Sequence, residues 1–106
     1  MRRNWTREEF LLCLVHYGSL SISARRSLPA HIANSLATIT GRSVSSIELR
    51  FANFNALDPE YLALGLKGMN GGGEACKAIW DEFSRPDGTL DFMLLSRQVS
   101  IELFKS

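Results

Sequence analysis

Apolar residues first recur at helical spacing in Phe10, Leu11, Leu14, Val15 and Tyr17. Thr6 is placed to cap that run through its hydroxyl, Glu9 to return the hydrogen bond, and Trp5 and Phe10 to flank the cap as an apolar staple. A first helix over about 7–17 follows, interrupted by Gly18 and succeeded by a polar loop, SLSISARRS. The next apolar set, Ile32, Leu36 and Ile39 beside Ala33 and Ala37, predicts a second helix over about 29–39, with Pro29 tolerated in its first turn and Gly41 as its stop. After a turn of only a few residues Ser43 is a cap for a third helix, in which Val44, Ile47, Phe51 and Phe54 fall on one narrow face.

Beyond the third helix, Asp58-Pro59 starts a short helical piece through Leu64, and GLKGMNGGG over 65–73 is the clearest breaker in the chain. A helix over 74–83 carries Ala75, Ile79 and Phe83 on one face with Trp80 adjacent. The last span, 90–104, is read as helix from Leu90, Met93, Leu94 and Ile101, although VSIELF alternates as a strand would. The expected fold is all-α: a single domain over 1–106, with a three-helix helix-turn-helix core at 5–57 and a helical extension at 58–106.

A chain of 106 residues holds one domain, and 45% hydrophobic residues provide for a core rather than for disorder. The net charge of +1 gives no case for a nucleic-acid partner by itself. The two halves differ: residues 1–50 carry seven Arg against three Glu, net +4, and residues 51–106 carry five basic against eight acidic side chains, net −3. No stretch has the length of a membrane span or the pattern of a secretory signal, so a cytoplasmic location without membrane contact is expected. Cys13 and Cys76 sit in apolar helical patterns and read as buried free thiols.

Catalytic and metal chemistry find little support. His16 and His31 are the only histidines, no zinc-ligand spacing occurs, and the pairs Glu8-Glu9 and Asp81-Glu82 are adjacent rather than three or four apart. The glycine-rich 65–73 segment lacks both the Gly-Lys-Ser/Thr ending of a P-loop and the dinucleotide fingerprint, which leaves a linker or tight turn as the reading. No cofactor and no enzymatic activity are expected.

The second and third helices are more informative. If Val44, Ile47, Phe51 and Phe54 point inward, the opposite side of the third helix presents Ser45, Ser46, Leu49 and Asn53, with Arg50 along its edge. Asn pairs with adenine, Arg with guanine, Ser with either, and Leu can touch a thymine methyl, so Ser46, Leu49, Arg50 and Asn53 form the candidate base-facing set. Arg2 and Arg3 as an N-terminal arm, with Arg25, Arg26 and Arg42, are the candidate contacts to the DNA backbone. Leu49 has a competing reading as a packing contact to the C-terminal helices. Double-stranded DNA is the expected partner, a homodimer would enlarge the footprint, and the alternative function is a helical protein-interaction adaptor or small phage or defence regulator that binds a protein partner.

The same residues carry a resemblance. Trp5-Thr6-x-Glu8-Glu9, Gly41-Arg42-Ser43-Val44-Ser45-Ser46-Ile47 and Phe51-Ala52-Asn53-Phe54 resemble a Myb/SANT or homeodomain-like three-helix DNA-binding unit. Ala52-Asn53-Phe54-x-Ala56-Leu57-Asp58-Pro59, Gly65-Leu66-Lys67-Gly68-Met69 and Ala78-Ile79-Trp80-Asp81-Glu82-Phe83 resemble the N-terminal region that precedes the nuclease domain of bacterial HNH restriction endonucleases, over about residues 5–84. The resemblance implies a DNA-recognition or targeting module connected with restriction or phage defence. It carries no cleavage activity over, because the nuclease residues of such proteins lie in a domain downstream of the resembling part.

Overall fold

The computed structural model describes residues 4–67 and 73–104. Most of the helices begin where a side chain takes up a free N–H group. Thr6 Oγ1 accepts from the Glu9 N–H at 3.2 Å and the Thr6 N–H donates to Glu9 Oε1 at 2.9 Å, which starts α1, Arg7–Ser19. Trp5 and Phe10 staple that entry, with ring centroids 5.5 Å apart. Gly18 lies within the helix rather than ending it. A Cβ on Gly18 would lie 2.8 Å from Phe92 Cδ1, so the glycine there serves a close approach.

The polar loop expected at 19–27 contains a helix instead, α2, Ile22–Arg26, because Ser21 caps it. Next come α3, Ala30–Thr40, and α4, Val44–Leu57, close to their expected spans. Pro29 is the N-cap of α3 rather than a member of its first turn, and Gly41 ends it at φ +72°. Ser43 Oγ accepts from the Ser46 N–H at 3.1 Å to open α4. Asp58 caps α5, Pro59–Leu62, which stops short of the expected Leu64. α6 spans Gly73–Glu82, and Asp91 caps α7, Phe92–Leu103, so the last span is helix and not strand. Among the described residues the only β pairing is an isolated bridge between Ser84 and Leu90.

α4 is the central element and packs against α1, α2, α3, α5 and α6, while α1 also lies against α6 and α7. Tyr17 stands where these layers meet, with its ring centroid 5.9, 5.5 and 5.8 Å from those of Phe51, Phe54 and Trp80. One hydrophobic cluster therefore contains Leu14 and Ile47 from the first half and Phe51, Trp80, Leu95 and Val99 from the second. Cys13 and Cys76 are buried free thiols within it, and burial pushes the Cys13 thiol up to about 12.

Several apolar residues face the other way from the sequence expectation. Val44 and Ile39 are exposed, because Ile47 and Leu36 already fill the α3–α4 seam. Ala75 is exposed while Cys76 is buried, and Leu95 and Val99 enter the core in place of Met93, Leu94 and Ile101. Leu90 is buried but lies ahead of α7, in the Ser84–Leu90 bridge. None of the described helices is long and apolar enough to cross a membrane.

Candidate recognition surface

The solvent side of α4 consists of Val44, Ser45, Glu48 and Leu49, with Ala52 and Ala56 half-buried behind them. Of the candidate base-facing residues, only Leu49 is well exposed, at 49%. Ser46 is half-buried, and its hydroxyl accepts from that of Ser43 at 3.0 Å within the helix cap. Asn53 does not share the outer face: it is 7% exposed, and its Oδ1 lies 3.4 Å from Arg50 Nη1. The reason is helical phase, since Phe54 and Ile47 rotate the buried arc of α4 to include position 53.

Arg50 is turned toward the start of α1. Its guanidinium carbon sits 4.5 Å from the Trp5 ring centroid and 4.8 Å from that of Phe10. Arg42 takes the same ring at 4.5 Å and donates through Nη2 to Asn4 O at 2.7 Å and to Glu9 Oε1 at 2.9 Å. Trp5 thus gathers two arginines that the sequence assigns to DNA.

Arg25 is likewise committed. Nη1 donates to Asp58 Oδ2 at 2.9 Å, Nε to Tyr17 O at 3.2 Å and Nη2 to Gly18 O at 3.3 Å. The Tyr17 hydroxyl donates to the same Asp58 oxygen at 2.6 Å, with Asn55 Oδ1 also 2.8 Å away, and Asn55 Nδ2 donates to Arg25 O at 3.0 Å. This network ties α1, α2, α4 and α5 together. Arg26 alone among the described candidate backbone contacts is exposed without a bonded acceptor; Arg2 and Arg3 lie outside the described residues. Gly68 to Gly72 of the glycine-rich segment also lie outside them.

A second surface carries no sequence signal of its own. Glu8, Glu9, Leu12 and His16 of α1, Ile39 and Thr40 of α3, and Leu103 and Phe104 at the end of α7 line an open groove of about 540 Å³. It forms because α1 and α7 pack side by side while the C-terminus of α3 approaches from the other flank. Ile39 and Phe104 stand at its edges, 67% and 74% exposed. Position 104 is distant in sequence from both other elements, and only the α1–α7 packing brings it there.

Among the described residues no three His, Cys, Asp or Glu side chains are grouped to hold a metal ion. His16 Nδ1 lies 2.8 Å from Leu12 O, its own helix. Comparison of the chain with protein families, with curated proteins and with solved structures finds no match.

Proposed function

We propose that the chain is a non-catalytic recognition module that docks on a protein, built on a helix-turn-helix-like arrangement of α1, α3 and α4. The observation that carries this reading is the internal commitment of Arg7, Arg25, Arg42 and Arg50. They bond to Glu82 and Glu102, to Asp58, to Glu9, and to the Trp5 and Phe10 rings respectively. Affinity for a duplex comes chiefly from cations placed on phosphates. The solvent face of α4 offers instead an apolar and acidic strip, Val44, Glu48 and Leu49, which suits a protein surface better than a polyanion.

Duplex DNA is the second reading. It draws on the three-residue turn Gly41-Arg42-Ser43 between α3 and α4, on exposed Ser45 and Leu49 near the start of α4, and on Arg26 beside it. The resemblance to the leading region of HNH restriction endonucleases favours it as well. The experiment that orders the two is duplex binding by the intact chain over a salt series, with folding checked by circular dichroism. Little association at low salt is expected; tight binding with a log–log salt slope of several units would put DNA first.

A further inference from the structure

We infer that the α1–α3–α7 groove is a docking site for a peptide segment that carries apolar anchors flanked by lysine or arginine. The inference rests on the protein-docking reading and names the surface and the partner chemistry.

The floor and edges of the groove are apolar. Leu12 and Leu103 line it and pack against the core, and Ile39 and Phe104, which also line it, are exposed and open to contact by an inserted side chain. About 540 Å³ is room for one or two large apolar side chains with the backbone outside. Burial of Ile39 and Phe104 by a partner would contribute binding through the area removed from water.

The open charge on the rim is acidic. Glu8 is exposed there, whereas the Glu9 carboxylate beside it is paired with Arg42 at 2.9 Å and nearly buried. The Thr40 hydroxyl is committed to Leu36 O at 2.7 Å. No lysine or arginine lines the groove among the described residues. An apolar slot whose lining exposes the Glu8 carboxylate and no described lysine or arginine is complementary to an apolar segment that brings a cation, and Glu8 discourages acidic segments by like charge.

The test is a displayed random-peptide library selected on the immobilised intact chain, followed by titration of recovered synthetic peptides into the isotopically labelled protein. Peptides with a large apolar residue next to Lys or Arg are expected, with amide shifts concentrated on α1, the end of α3 and the end of α7. Binding should weaken at least tenfold in I39K and severalfold in E8Q, both substitutions at exposed positions, with melting curves confirming that each remains folded. Recovery of acidic peptides, or of peptides unaffected by I39K, would overturn the groove assignment. Peptides that lose binding in L49K and map to α4 would overturn the groove while leaving the docking reading in place. No enrichment on any surface would remove both.

Discussion

Arg25 and Asp58 meet across 2.9 Å with side chains only 10% and 1% exposed. Truncating one partner of such a pair leaves the other charge buried and unbalanced, which costs about 3–5 kcal/mol. D58A also removes the nearer of the two acceptors of the Tyr17 hydroxyl and the cap of α5, so it is expected at the upper end of that range. Urea denaturation of D58A and R25A against the parent chain measures this, and a loss below ~1 kcal/mol in both would show that the network is not a stability determinant.

Burial, and then the neighbouring Asp58 carboxylate, raise the Tyr17 phenol above its ordinary value of 10.0. The sign follows: below the unfolded-state value the phenol is neutral in both states and its contribution is intact; above it the unfolded chain releases a proton that the folded chain holds, and stability falls. Denaturation midpoints should therefore decline as pH rises past about 10, and Y17F should flatten that decline.

The Arg50 and Arg42 stack on Trp5 predicts effects on stability first. R50A should cost about 1–2 kcal/mol through lost cation–π contact and packing, and R50K should recover only part of it because an ammonium lacks the flat guanidinium face. W5A should reduce the cost of R50A in a double-mutant cycle, the remainder coming from the Phe10 contact. An R50A chain with unchanged stability would contradict the stack.

Gly18 and Phe92 form a steric pair. Alanine at a helical glycine ordinarily stabilises by ~0.5–1 kcal/mol. G18A should instead destabilise, because the added Cβ would lie 2.8 Å from the Phe92 ring. In an F92A background the ordinary sign should return. Thermal melts of the four chains decide it, and G18A destabilising equally in both backgrounds would rule out the clash.

Most of the helical architecture is legible in the sequence because it is specified locally. Thr6, Ser43 and Asp58 are capping residue types placed just ahead of helix-forming stretches, and each starts a helix. The 19–27 segment is not legible, since the apolar content of α2 is slight and the helix depends on Ser21 and on Arg25 finding Tyr17, Gly18 and Asp58. The fates of the arginines are hidden for the same reason. Periodicity placed Arg50 at the edge of a free face, but the aromatic pair that captures it, Trp5 and Phe10, is contributed by another helix entry. The groove requires the packing of α1 against α7, a long-range relationship that no local pattern encodes.

The Arg7 fork has a kinetic meaning. Its guanidinium joins Glu82, 75 residues away, at 2.6 Å and Glu102, 95 residues away, at 2.9 Å. Contacts that close loops of this length form only after the entropy of ordering the intervening chain has been met. The fork therefore belongs to the late side of the folding barrier. Cutting it with R7A should leave the refolding rate nearly unchanged and speed unfolding, so its influence would appear in how long the folded molecule persists rather than in how quickly it is reached.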